Sequence, residues 1–181
     1  MKKVLVHLAD GFEEIEAITV IDVLRRAGIN TVTVSMSGKK EVSGAHHIVV
    51  EADALFDNAL YKDADMIVLP GGGPGTKNLK AHTGLAAIIK EFNESRKWIA
   101  AICAAPTVLG CLGILNGKNA VCYPGCEDEL TGAATREDAV MVDGHIITSR
   151  APGTAFEFSF KLVELLLGSA EVAQLKEGML A

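Results

Sequence analysis

Short apolar runs that stop at a turn residue constrain this chain more than any other feature of its sequence. Lys3–Leu8, the Thr/Val-alternating Thr31–Ser35, Asp65–Leu69 and Trp98–Ile102 read as strands, and the three apolar ones lead into Asp10-Gly11, Pro70-Gly71-Gly72 and Cys103 ahead of Pro106. Runs of about five apolar residues bounded by turn signals read as strands buried on both faces. Between the first two, Ile15, Ile18, Val20, Ile21, Val23 and Leu24 recur near helical spacing, so a helix is expected from Phe12 to Ala27 with Gly28 as its stop. A strand, a helix and a strand in that order form a right-handed crossover, which implies a parallel sheet.

The remainder of the chain fits the same plan. Lys39–Val42 and His47–Val50 read as short hairpin strands, in which the adjacent His46 and His47 would point to opposite faces. Leu55–Leu60 reads as a helical turn, Leu85–Phe92 as a surface helix and Thr107–Leu112 as a helix after the cysteine. Ala120–Cys122, Val140–Val142 and Ile146–Ser149 are further short strands, the last two joined through Asp143-Gly144. A buried helix opens at Thr154, and Ser169 is placed to cap a last one that runs to Glu177. With 181 residues and no linker, the expectation is one domain over 1–181.

Composition narrows the function classes. A net charge of −6 with no Lys/Arg block argues against a nucleic-acid surface. No apolar segment approaches the ~20 residues of a membrane span. The opening Met1–Leu8 run meets Asp10 and Glu13 too soon for a signal peptide, so the expected location is cytoplasmic. Cys103, Cys111, Cys122 and Cys126 lack paired zinc-ribbon spacing, and the Cys122-Tyr123-Pro124-Gly125-Cys126 segment has no second ligand pair. No metal or other cofactor is expected. Gly71-Gly72-Gly73-Pro74-Gly75 comes after a strand, yet it has neither the G-x-G-x-x-G spacing nor the order of a P-loop. It offers exposed backbone N–H groups instead.

Chemistry is expected where the strands end, since ligands bind at the carboxyl edge of an open parallel sheet. There Cys103 stands at a sharp strand-to-helix turn, where a helix N-terminus should lower a thiol from its usual ~8.5. The N–H groups of Gly72 and Ala104 are placed to hold a negative oxygen beside the sulfur. An ionised carboxylate would repel the thiolate, so a useful partner carboxyl must be buried and protonated. Among Glu13, Glu14 and Glu16, the last lies between Ile15 and Ala17, one turn in, and is the best candidate. Ala104 and Ala105 leave no adjacent histidine, and His7, His46, His47, His82 and His145 read as structural or solvent-facing.

Five motifs in order resemble the ThiJ/PfpI superfamily, and most closely its Parkinsonism-associated branch, within the class I glutamine amidotransferase-like fold. They are Gly11-Phe12-Glu13-Glu14-Ile15-Glu16, Asp22-Val23-Leu24-Arg25-Arg26-Ala27-Gly28, Leu69-Pro70-Gly71-Gly72, Ala100–Thr107 around Cys103, and Thr148–Phe158. The resemblance implies a flavodoxin-like three-layer α/β sandwich with a mostly parallel central sheet, a homodimer, and an oxidation-prone Cys103 bonded to a protonated Glu16, with Gly72 as the oxyanion glycine. It places Gly71, His46, Tyr123, Arg25, Arg26, Arg150 and Pro152 around the pocket. Related branches with protease activity carry histidine directly after the cysteine, where this chain has Ala104. His46 replaces an arginine of the branch and Tyr123 a pocket histidine. Two functions stay open: a cofactor-independent enzyme acting on small dicarbonyls or glycated adducts, of glyoxalase or deglycase type, and a redox-responsive stress-protection or chaperone protein in which Cys103 becomes a sulfinate.

Overall fold

The computed structural model describes residues 1–181. In chain order its elements are β1 (Lys3–Leu8), α1 (Glu14–Arg26), β2 (Asn30–Ser35), β3 (Glu41–Ser43), β4 (Val49–Glu51), β5 (Ala54–Leu55), β6 (Met66–Leu69), α2 (Gly73–Ala81), α3 (Thr83–Glu94), β7 (Trp98–Ile102), α4 (Pro106–Cys111), β8 (Asn119–Ala120), β9 (Ala134–Thr135), β10 (Val140–Asp143), β11 (Ile146–Ser149), α5 (Ala155–Leu167) and α6 (Ser169–Met179). Seven strands form the central sheet in the order β10-β11-β7-β6-β1-β2-β5. All neighbours are parallel except β10 and β11. The central strands β1, β6 and β7 are buried almost throughout, as their unbroken apolar runs require.

Two cores lie on opposite faces of the sheet. One packs Val4, Val6, Met66 and Val68 against α1 and α5 through Val20, Leu24, Phe158 and Leu162. The other packs Leu5, Ile67, Leu69 and Ile99 against α3 and α4 through Leu85, Ile89, Phe92 and Leu109. The chain thus leaves β1 into one layer and β6 into the other, which makes the β1–β6 border the point where the direction of winding reverses. In such flavodoxin-like sheets the crevice at that point is the ligand site. No helix is long and apolar enough to cross a membrane.

Several sequence expectations are corrected. The glycine stretch is not an open loop: α2 begins at Gly73, because Pro74 suits a first helical turn and Gly75 packs on the backbone of Gly11 and Phe12. The hairpin strands sit at Glu41–Ser43 and Val49–Glu51, so His46 and His47 lie in the turn between them, His47 with φ of 66°. Their side chains therefore do not alternate as in a strand. Gly168, not Ser169, is the N-cap of α6, and no side chain caps it. The small β8–β9 pair replaces the longer strand expected at Ala120–Cys122.

Candidate active site

β7 carries Cys103 just past its last residue, and the backbone there turns sharply. Cys103 takes φ of 66°, a left-handed conformation that a residue with a Cβ adopts only when its surroundings impose it. Here they do: its N–H donates to Ser149 O at 2.9 Å, and its C=O accepts from Tyr123 N at 2.7 Å. The elbow is therefore pinned between the end of β11 and the 123–126 turn. Its sulfur is nearly enclosed, with the residue 8% exposed.

β6 supplies the second wall. Gly72 has φ of 87°, and a Cβ there would stand 2.7 Å from Glu13 N, so no side chain fits where the glycine turn meets the start of α1. Gly71 O accepts from Glu13 N at 3.1 Å, which ties the turn to that helix start. The N–H groups of Gly72 and Ala104 both reach the Cys103 sulfur and favour its thiolate. The two expected oxyanion donors are thus brought together.

α1 supplies the carboxyl. Glu16 lies on the inward face of the helix and is completely buried. One carboxyl oxygen, Oε2, accepts from Gly71 N at 2.7 Å, while Oε1 is buried without a partner of hydrogen-bond geometry. A carboxylate with one oxygen unanswered is unfavourable in such a place, and burial pushes Glu16 up to about 7. The Cys103 thiol is within hydrogen-bonding reach of that carboxyl. Burial, then the charge of an ionised Glu16, push the thiol up to about 12, outweighing the pull of the Gly72 and Ala104 donors.

This corrects the expectation of a thiol acidified by a helix end. α4 starts at Pro106 and has only six residues, and burial outweighs what its N-terminus offers. The two groups must be read as a pair with shared protons. Loss of one proton from the pair falls near neutrality, where burial places the Glu16 carboxyl; the Gly71 amide serves that carboxyl, and those of Gly72 and Ala104 serve the sulfur. Losing the second places two charges side by side and is strongly opposed.

The other expected residues fall in different places. Arg25 and Arg26 are at the far end of α1: Arg25 donates to Thr31 O and pairs with Asp53 at 2.7 Å, and Arg26 pairs with Asp22 at 2.6 Å. Neither is directed to Cys103, which corrects their placement in the pocket. Arg150 donates to Glu137 O, and Pro152 opens a short turn leading into α5, both just beyond Ser149. The Tyr123 side chain is about half exposed. His7 is buried between Val68 O and the Tyr61 hydroxyl, each at 3.0 Å, and burial lowers it to about 4. His82 accepts from Leu85 N at the start of α3, and His145 meets Asn93.

Glu14 is the residue that sequence reasoning missed. It is 6% exposed, and its Oε1 accepts from His46 N at 2.7 Å while its Oε2 meets His46 Nδ1 at 2.9 Å. This bond fastens the β3–β4 turn to α1. Glu13 Oε2 lies 3.6 Å from the same nitrogen. The hydrogen bond to Glu14 and the two nearby carboxylates raise the His46 pKa. Glu13, Glu14 and His46 could present three ligand atoms to a cation, but Glu14 is already satisfied by the imidazole and backbone N–H groups.

A cysteine on a strand-to-helix elbow, faced by a buried carboxyl at the winding reversal of a flavodoxin-like sheet, defines a class of α/β sandwich proteins. The chain belongs to the DJ-1/PfpI family, whose model matches residues 2–165. DJ-1 homolog B of Arabidopsis thaliana is 42% identical over 175 residues, which are 96% of this chain and 40% of that protein; this chain thus spans less than half of its length. The glutathione-independent glyoxalase DJR-1.2 of Caenorhabditis elegans is 37% identical over 158 residues, covering 86% of this chain and 83% of that one. The oxidized DJ-1 structure from Toxoplasma gondii superposes with a TM-score of 0.94 at 37% identity, covering 99% of this chain and 98% of the other.

Proposed function

We propose that this protein is a cofactor-independent glyoxalase that converts small dicarbonyls to hydroxy acids, with Cys103 as nucleophile and Glu16 as proton carrier. The observation that carries this reading is the pairing of a nearly enclosed sulfur, served by two amide donors, with a fully buried carboxyl held near pKa 7. A carboxyl poised at that value can both give and take a proton at neutral pH. The C. elegans relative, described as a glutathione-independent glyoxalase, supports the substrate class.

With methylglyoxal, the thiolate forms a C–S bond to the aldehyde carbon, and the carbonyl π electrons move onto oxygen, which the Gly72 and Ala104 N–H groups hold. Glu16 gives its proton to that oxygen and, now a carboxylate, takes the proton from the former aldehyde carbon and returns it to the adjacent carbon, while the hydroxyl proton passes to the second oxygen. The first carbon is thereby oxidised to a thioester and the second reduced to an alcohol. Water cleaves the thioester, releasing lactate and the Cys103 thiol, so water is the sole co-reactant consumed. The same site would accept the carbinol and adjacent ketone that a dicarbonyl leaves in a glycated adduct.

We also propose that residues 1–181 form one domain that works as a homodimer. Ile15 and Ile18 on α1 and Ile48 and Val49 on the hairpin are all exposed apolar side chains, and the Glu14–His46 bond joins the two elements that carry them. Four unpaired cysteines suit a reducing compartment such as the cytoplasm. The test of function is incubation of wild type, Cys103→Ser and Glu16→Ala with methylglyoxal, with lactate followed by proton NMR. Lactate is expected from wild type, with both variants near the uncatalysed rate. Equal lactate from all three would overturn the reading.

A further inference from the structure

The cavity on the α2 side of the elbow, about 290 Å³, has no role in the chemistry described so far. Ala104, one of the two amide donors, lines it, and so does Gly73, the residue after Gly72. Its other walls include Thr76, Lys77 and Lys80 of α2, Thr107 of α4, and Glu129. Its size exceeds what an aldehyde and a methyl ketone need, so a substrate that reaches Cys103 has room for a substituent here.

The charges and hydrogen-bonding groups select that substituent. Lys80 is answered by Glu129, with which it forms an ion pair, whereas no carboxylate is paired with Lys77. Glu127, on the same turn as Glu129, is committed to Gly125 N at 2.7 Å. The nine-residue α2 begins here with no acidic residue in its first turn and no side-chain cap, so the positive end of its dipole is unopposed. Thr76 lines the cavity, is 4% exposed, and its hydroxyl has no hydrogen-bond partner. A buried hydroxyl without a partner is unfavourable by itself and is satisfied by an acceptor. Thr107 donates to Ala104 O and keeps its own oxygen free to accept.

We infer that this cavity is a subsite for a carboxylate carried by the dicarbonyl that Cys103 attacks, held by Lys77 and the Thr76 hydroxyl. The inference rests on the glyoxalase reading for its substrate, but the charge preference is a property of the elbow itself. It predicts that an anionic electrophile reaches Cys103 with an advantage over a neutral one of the same size.

The test compares second-order rates of Cys103 alkylation by iodoacetate and by iodoacetamide, which differ in the carboxylate, for wild type, Lys77→Met and Thr76→Val. The modified peptide is identified by mass spectrometry. The iodoacetate-to-iodoacetamide ratio should fall about threefold to fivefold in Lys77→Met, the size expected for one partly screened charge, and should also fall in Thr76→Val. Raising the salt to about 0.5 M should lower the wild-type ratio and leave little further difference from Lys77→Met. Identical ratios in wild type and both variants would overturn the inference, even with methylglyoxal turnover intact. A lowered ratio in a protein that does not turn over methylglyoxal would instead uphold the subsite and remove the glyoxalase reading.

Discussion

Gly71→Ala is the substitution that presses hardest on the space between nucleophile and carboxyl. A Cβ at position 71 would stand 2.6 Å from Cys103 Cβ, 2.6 Å from Glu16 Oε2 and 2.9 Å from Ile102 O. Ordinary contact begins near 3.4 Å, so the thiol and carboxyl must part by about 1 Å, and a shift of that size at reacting groups lowers turnover by about 10²-fold. The neighbours have little freedom to yield. Ile102 belongs to the central strand β7, Cys103 is pinned through Ser149 O and Tyr123 N, and Glu16 Oε2 is held by the Gly71 N–H itself. Overpacking of this kind destabilises by about 1–3 kcal/mol, equivalent to a melting point lower by about 3–10 °C in a chain of this length. Thermal unfolding by circular dichroism and lactate formation would both be measured, with Gly178→Ala as the companion. Gly178 lies in α6, where a Cβ would meet nothing within 4 Å, so alanine there should stabilise by up to about 1 kcal/mol through helix propensity. A Gly71→Ala protein that melts within about 1 °C of wild type and retains full turnover would refute the crowding on which the site geometry depends.

Three further outcomes are expected of the same structure. At φ of 66° a Cβ is disfavoured, so Cys103→Gly should be more stable than Cys103→Ala by about 1 kcal/mol in urea unfolding, and the reverse order would contradict an imposed left-handed elbow. The Arg25–Asp53 pair is about half exposed on both sides, so Arg25→Ala should lose only about 0.2–1 kcal/mol and leave the rate of Cys103 alkylation within about twofold; a tenfold loss of rate would return Arg25 to the site. Burial raises Glu16 from 4.5 to about 7, so the native state retains a proton that the unfolded chain has released, and stability falls as pH rises from about 4.5 through 7. Glu16→Gln has no such proton, and its melting point should gain on wild type between pH 5 and pH 8; a constant difference would mean that Glu16 is ionised in the native state throughout.

The central sheet was legible because β1, β6 and β7 are largely apolar runs and β2 alternates Val with Thr, patterns that depend on nothing distant in sequence. The elbow was legible for the same reason, since Ile102-Cys103-Ala104-Ala105-Pro106 carries both the end of a strand and the start of a helix. Glu16 stood out by its apolar neighbours, and Gly72 by its place after the strand that ends at Leu69. Glu14 did not stand out, because its partner is 32 residues away in a turn whose register depends on packing against α1. Arg25 looked like a pocket residue only through its motif, and its partner, Asp53, lies 28 residues on, between β4 and β5. α2 was hidden by composition: its glycines and proline oppose a helix by propensity, and close packing of Gly75 on Gly11 and Phe12 overrides them. The thiol's environment was misjudged because burial depends on the whole site, whereas the helix start beside it is visible locally.

The proposed chemistry depends on Cys103 and Glu16 carrying one negative charge between them near neutral pH, with the proton that Glu16 retains stabilising the thiolate. The direct measurement is the pH dependence of Cys103 alkylation by iodoacetamide in wild type and in Glu16→Gln. Reactivity should set in at or below about pH 7 in wild type, where burial places the Glu16 carboxyl. The midpoint should move up by about one pH unit in Glu16→Gln, whose amide is a weaker donor than a carboxylic acid. A midpoint that moves down on removal of the carboxyl would contradict the shared charge, since that is the signature of an ionised Glu16 repelling the thiolate.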